Sequence, residues 1–121
     1  MIDHFSIKVS DLKKSKDFYK QTLYPLGYKI CFDTDYVISF VSPEGADPAG
    51  DFWISQGEPS GNHFAFTSNT KESVDLFYES GLKAGGITNG SPGFRPQYHE
   101  NYYAAFLLDP DGYNIEAVCH N

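Results

Sequence analysis

Apolar residues recur at helical spacing in two parts of the chain, with polar residues on the opposite side. The first part predicts a helix over Leu12–Tyr24. The second predicts a helix over Thr70–Lys83, where Asn69 and Glu72 have the spacing of a capping box. Each of these stretches follows a short segment of strand-forming residues, so both favour a unit in which a strand precedes a helix.

Shorter stretches alternate apolar and polar residues, as strands with one buried face do. The predicted strands are Phe5–Val9, Lys29–Phe32, Tyr36–Val41, Asp51–Ser55, His63–Thr67, Tyr102–Leu108 and Tyr113–Val118. The last two are joined by Asp-Pro-Asp-Gly, a tight turn in which proline presets φ and glycine tolerates positive φ. The stretch between Thr88 and Asn101 is predicted to be irregular.

The second half of the chain repeats the first. A shift of 59 residues places His4-Phe5 on His63-Phe64 and Phe18-Tyr19 on Phe77-Tyr78. Because the order of predicted elements also repeats, the sequence predicts two βαβββ modules, 1–56 and 62–121, within one α+β domain.

Three residues with metal-ligand chemistry occupy corresponding places in this repeat. His4 and His63 stand at the start of equivalent strands, each on the less apolar face. Glu116 lies in the last strand between Ile115 and Ala117, where an unpaired carboxylate would be costly if buried. Each has a simpler explanation: His4 as a solvent-facing residue, His63 as a turn residue, and Glu116 as an edge-strand residue in water.

The alternative explanation for this triplet is a metal site. If the two sheets fold into one cup, its floor brings together His4, His63 and Glu116. Two imidazoles and one carboxylate suit Fe(II), Mn(II) or Zn(II) and leave coordination positions open for a substrate.

Composition limits the remaining classes of function. The 121 residues are 40% hydrophobic and 17% aromatic, which is enough for a folded core, and the net charge of −7 argues against nucleic acid and anionic membrane surfaces as partners. No apolar run has membrane-spanning length, and the first residues do not resemble a signal peptide. Cys31 and Cys119 are therefore expected to be free thiols in a reducing cytoplasm.

These motifs resemble the vicinal oxygen chelate superfamily, which includes glyoxalase I, bleomycin-resistance proteins, fosfomycin-resistance transferases and extradiol dioxygenases. The resemblance covers essentially the whole chain, and its closing motif is the most specific part. The motifs that carry it are His4, Val9-Ser10-Asp11-Leu12, Phe18-Tyr19, Leu26-Gly27, Asn62-His63-Phe64-Ala65-Phe66 and Leu108-Asp109-Pro110-Asp111-Gly112-Tyr113-Asn114-Ile115-Glu116.

The resemblance implies two βαβββ modules that form a cupped mixed β-sheet with helices on its outer face. It also implies a divalent metal ion (Zn, Mn, Ni or Fe) held by His4, His63 and Glu116, and a small substrate that chelates the metal through two adjacent oxygens. Short members of the superfamily commonly form homodimers that exchange modules. Such a dimer would draw His4 from one chain, and His63 with Glu116 from the other.

One position departs from the pattern of glyoxalase I, which usually has a fourth ligand, a glutamate, in the last strand of the first module. Trp53 lies in that neighbourhood here. The departure favours the three-ligand members, the fosfomycin transferases and extradiol dioxygenases, among which the reaction could be that of an isomerase, lyase, transferase or dioxygenase. The alternative is a metal-free protein that binds a small molecule, as bleomycin-resistance proteins do.

The segment Phe94–Tyr103 supplies the remaining candidates. His99 and Tyr98 are predicted to handle protons, and Arg95 to hold an anionic substrate group. Tyr103 and Trp53 are predicted to contact the substrate. The simpler alternative is an ordered loop that packs its tyrosines over the cup.

Overall fold

The computed structural model describes residues 2–45 and 48–121. The order of elements is βαβββ twice, which confirms the predicted α+β fold class. In the first module these are β1 (Phe5–Val9), α1 (Leu12–Leu23), a 3-10 helix (Tyr24–Leu26), β2 (Lys29–Asp33), β3 (Val37–Val41) and β4 (Phe52–Gln56). In the second module they are β5 (His63–Thr67), α2 (Lys71–Lys83), β6 (Ile87–Phe94), β7 (Tyr103–Leu108) and β8 (Asn114–Cys119).

Each module forms a four-stranded mixed sheet with the same topology. The strand orders are β1-β4-β3-β2 and β5-β8-β7-β6, in which only the first pair of each sheet is parallel. The register places Trp53 opposite Ser6 in the first sheet and Glu116 opposite Ala65 in the second. Trp53 therefore occupies the position in the first module that Glu116 occupies in the second.

Two local predictions need correction. The second helix is capped by Thr70, whose hydroxyl accepts a hydrogen bond from the backbone N–H of Ser73 at 3.1 Å. The predicted capping box of Asn69 and Glu72 does not form, because the extended backbone of Thr70 lets the helix begin one residue later.

The stretch predicted to be irregular contains strand β6, which pairs antiparallel with β7. Its register shifts on both sides of Gly90, whose φ of 150° is readily adopted only by glycine. Glycine and proline hide the alternating pattern on which strand prediction depends, and for that reason the strand is missed.

Aromatic side chains join the two modules. The ring of Phe52 in β4 lies 5.0 Å from Tyr19 of α1, and 5.6 and 5.3 Å from Phe64 and Phe66 of β5. Phe52 and Phe40 are each 1% exposed, so both belong to the core. The shared core holds the helix-facing sides of both sheets, and the opposite side of each sheet carries polar candidates.

A buried polar contact adds to this junction. Asp109, in the turn between β7 and β8, accepts hydrogen bonds from the Tyr19 hydroxyl and from the backbone N–H groups of Asp111 and Tyr113. Burial raises the pKa of Asp109, and burial together with the neighbouring Asp109 raises the pKa of Tyr19. Asp109 is thus a turn residue, as predicted, and it also anchors α1 to the second module.

The close approach of α2 to β7 depends on Gly81. A Cβ atom at this position would lie 2.2 Å from Cδ1 of the buried Leu107, so either the Leu107 side chain or the helix would have to move. Gly→Ala in a helix interior normally stabilises by up to about 1 kcal/mol. We expect Gly81→Ala instead to lower the free energy of unfolding by about 1–3 kcal/mol through overpacking.

Urea unfolding measures the free energy of unfolding of Gly81→Ala. The control variant is Glu79→Ala, at an exposed position on the same helix. A Gly81→Ala protein at least as stable as wild type would contradict the packing that the structure shows.

Candidate functional site

His63 and Glu116 form a pair on the face of the second sheet that points away from the helices. His63 is the first residue of β5, and Glu116 lies in the central part of β8. The Nε2 atom of His63 is 3.2 Å from Oε2 of Glu116. The side chain of His63 is about half exposed, whereas only 3% of the Glu116 side chain is exposed. One ligand-type group therefore faces the open side, with a buried carboxylate beside it.

A backbone carbonyl sets the orientation of the His63 ring. Nδ1 of His63 lies 2.8 Å from the carbonyl oxygen of Asn114, the residue opposite it in the sheet. A carbonyl oxygen can only accept, so Nδ1 carries the proton in this contact. Nε2 is consequently the nitrogen turned toward Glu116 and the open face, as in histidines that bind metals through one nitrogen and are fixed by the other.

The Glu116 carboxylate is buried in a central strand, between β5 and β7, with a different partner for each oxygen. Oε1 accepts a hydrogen bond from the Tyr102 hydroxyl, while Oε2 faces His63. Partial burial, together with this hydrogen bond, raises the pKa of Tyr102, so its hydroxyl remains a donor at neutral pH. The explanation of Glu116 as an edge-strand residue in water is therefore wrong.

Asn114 adds an acceptor to the same face, two residues before Glu116. Its side-chain oxygen Oδ1 is buried and has no hydrogen-bond partner in the structure. An unpaired buried acceptor costs free energy, and functional sites are where such groups recur. Beside His63 and Glu116, it is suited to accept a hydrogen bond from a bound molecule.

His4 does not join this pair within one chain. It precedes β1 in the first module, its side chain is 54% exposed, and its Nδ1 lies 2.7 Å from Asp3 Oδ1. Over residues 2–45 and 48–121, no group of three or more His, Cys, Asp or Glu side chains is arranged to hold a metal ion. A single chain thus brings together His63 and Glu116 but leaves the third predicted ligand apart.

Tyr98 and His99 lie behind Tyr102 rather than beside Glu116. Their rings are 4.9 and 5.2 Å from the ring of Tyr102. His99 Nε2 is also 2.9 Å from Nδ1 of His120, an exposed residue near the end of the chain. These rings pack against one another in the loop before β7, as the simpler alternative predicts. Among them, Tyr102 is the residue that contacts Glu116.

The three predicted substrate contacts lie at different places. Arg95 lies over the ring of Phe106, the neighbour of Glu116 in the sheet, and donates to two backbone carbonyls of the preceding strand β6. Tyr103 faces the helix side, where its hydrogen bond to Asp75 raises its pKa to about 12. Trp53 lies on the first sheet, stacked on Phe32 and bonded through Nε1 to a backbone carbonyl.

Two residues of the site were not among the sequence-based candidates. Asn114 could have been found, because alternation along β8 places it on the face of Glu116. Tyr102 could not be assigned in this way, since its contact with Glu116 depends on how the preceding loop folds.

Comparison with known proteins agrees with this fold. The family model described as the Glyoxalase/Bleomycin resistance protein/Dioxygenase superfamily matches residues 1–117. A glyoxalase/bleomycin resistance protein from Albidiferax ferrireducens T118 is 31% identical, with a TM-score of 0.81 and 98% of each chain covered. The chain belongs to this superfamily.

Other solved structures share the fold. A hypothetical protein, SA1046, from S. aureus is 25% identical, with a TM-score of 0.69 over 96% of this chain and 94% of that one. A lactoylglutathione lyase from Agrobacterium tumefaciens, 15% identical, has a TM-score of 0.71 over 98% of this chain and 92% of that one. No curated protein matched the chain. No helix in the described part of the chain is long and apolar enough to cross a membrane.

The contact between His63 and Asn114 allows the protonated ring nitrogen of His63 to be predicted. In metal-free protein, long-range ¹H–¹⁵N NMR spectra should show Nδ1 of His63 protonated, because it donates to the carbonyl of Asn114. Adding a divalent metal should move the resonance of Nε2 and leave that of Nδ1 nearly unchanged. A neutral His63 ring protonated at Nε2 alone would contradict the orientation described above.

Proposed function

We propose that the protein is a metal-dependent enzyme acting on a small substrate that chelates a divalent metal through two adjacent oxygens. The observation that carries this proposal is the pair of His63 Nε2 and Glu116 Oε2, 3.2 Å apart at the open face of the second sheet. Imidazole nitrogen beside carboxylate oxygen is a donor set for Zn, Mn, Ni or Fe.

The donor set of one chain is chemically suitable but too small. His63 and Glu116 supply two ligands, whereas catalytic sites of this type use three protein ligands and leave a position for substrate. His4 is the remaining candidate because it is exposed and immediately precedes β1, at the position that corresponds in the repeat to His63, the first residue of β5. We propose that a second copy of the chain supplies it.

The two sheets support this assembly. Within the chain they are separate four-stranded sheets with equivalent topology, each with one side on the shared core. On the opposite side, Trp53 is the positional equivalent of Glu116. A homodimer that faces the first sheet of one copy with the second sheet of the other would complete a cup, with Trp53 opposite the pair.

In this dimer, the candidate residues of the site have the following proposed roles. His63 and Glu116 would hold the metal, and Asn114 Oδ1 would accept a hydrogen bond from a substrate hydroxyl. Trp53, in the first sheet of the other copy, would form an apolar wall of the cup. A divalent metal supplies Lewis acidity, which stabilises negative charge developing on a substrate oxygen. His99 and Tyr98, exposed at the rim, are the proposed proton-handling groups, and Arg95 is the proposed cation at the same edge.

Complementation between inactive variants tests the shared site. His4→Ala and His63→Ala should each abolish stoichiometric metal uptake, because every site in either homodimer lacks one ligand. Co-refolding equal amounts should restore roughly one quarter of wild-type uptake, since about half of the random dimers are mixed and each mixed dimer has one complete site. Metal analysis after removal of loosely bound ions measures the recovery.

Because the two variants have the same mass, co-purification through an affinity tag carried by one variant only must show that mixed dimers form. Their presence without recovered uptake would exclude a site shared between chains. If the wild-type protein took up no Zn, Mn, Ni or Fe, the metal-dependent proposal would fail, and a metal-free small-molecule-binding protein would replace it.

A further inference from the structure

We infer that Tyr102 is a positioning residue for Glu116: it fixes the carboxylate in the orientation that metal binding requires. The inference rests on the proposed function. The Tyr102 hydroxyl donates to Oε1 of Glu116, while Oε2 faces His63 Nε2. Tyr102 therefore occupies one carboxylate oxygen and leaves the other directed toward the ligand nitrogen of His63.

A glutamate ligand needs such a partner because its terminal torsion is soft. Rotation about χ3 of glutamate is broad and nearly two-fold, so packing alone does not determine which oxygen faces the site. A phenolic donor bound to one oxygen removes this freedom. The phenol can donate its one proton to only one of the two oxygens, so the other stays available to the site.

The loop before β7 holds Tyr102 in place. The backbone N–H of Arg95 donates to the carbonyl oxygen of Tyr102 at 2.7 Å, which closes the loop at the start of the strand. The Tyr102 ring also contacts Tyr98, His99 and His120, at centroid distances of 4.9, 5.2 and 5.4 Å. His120 comes from the end of the chain, so residues far apart in sequence converge on the ring that orients Glu116.

A purely structural role would have a different consequence. If Tyr102 only satisfies a buried carboxylate, its removal lowers stability and leaves the metal affinity of the folded protein unchanged. If it positions Glu116, the affinity itself falls, because the carboxylate must be ordered when metal binds. Groups that orient metal ligands typically change affinity by about 10–100-fold when mutated.

The test compares Tyr102→Phe with Tyr78→Phe, which removes another hydroxyl bonded to a side chain, that of Thr88 at 2.5 Å, outside the site. Isothermal titration with Mn²⁺ and Zn²⁺ should show affinity roughly 10–100-fold weaker for Tyr102→Phe and unchanged for Tyr78→Phe. Circular dichroism and thermal unfolding establish that both variants are folded at the titration temperature.

Wild-type affinity in folded Tyr102→Phe would overturn the inference while leaving the metal site intact. If wild type itself bound no metal, the proposed function would fail first, so the two failures are distinguishable. His120→Ala, which removes one ring packed on Tyr102 but keeps the hydroxyl, provides a second variant if Tyr102→Phe does not fold. It should weaken metal binding by a smaller factor, and wild-type affinity would count against the positioning role.

Discussion

The buried carboxylate of Glu116 is the constraint on which the candidate site depends. An ionised group in a central strand is costly unless each oxygen has a partner, and here one oxygen has the Tyr102 hydroxyl while the other has His63. A structural core would be more stable with an apolar side chain at this position, since even paired buried charges contribute little net stability. The location of the pair at an open face, beside the unpaired oxygen of Asn114, is typical of a functional site.

The repeated module explains how such a pair is presented. Parallel pairing of the first and last strands of a module brings β5 beside β8, so residues distant in sequence become direct neighbours. The first module has the same pairing of β1 with β4, but with Trp53 at the position of Glu116. The two modules are thus equivalent in backbone and different in chemistry. The aromatic contacts of Phe52 and the buried Asp109–Tyr19 contact keep them together on the helix side.

Periodicity was sufficient to predict both helices, most strands and the repeat, because each depends on which positions face the core. The same alternation placed His63 and Glu116 on one face. It could not place His4, whose separation from the pair follows from how two modules pack, nor could it place Tyr102, which depends on an irregular loop. Strand β6 was missed because Gly90, Pro92 and Gly93 break the alternating pattern.

The proposed metal site joins His63 and Glu116 of one chain with His4 of a second chain. Anomalous X-ray diffraction from crystals grown with Mn²⁺ or Zn²⁺ tests this arrangement, because the anomalous peak locates the ion independently of the protein coordinates. We expect one peak per chain, about 2.0–2.3 Å from His63 Nε2, a Glu116 oxygen and the imidazole of His4 from the other copy. A peak elsewhere, or none at this pair in a protein saturated with metal, would contradict it.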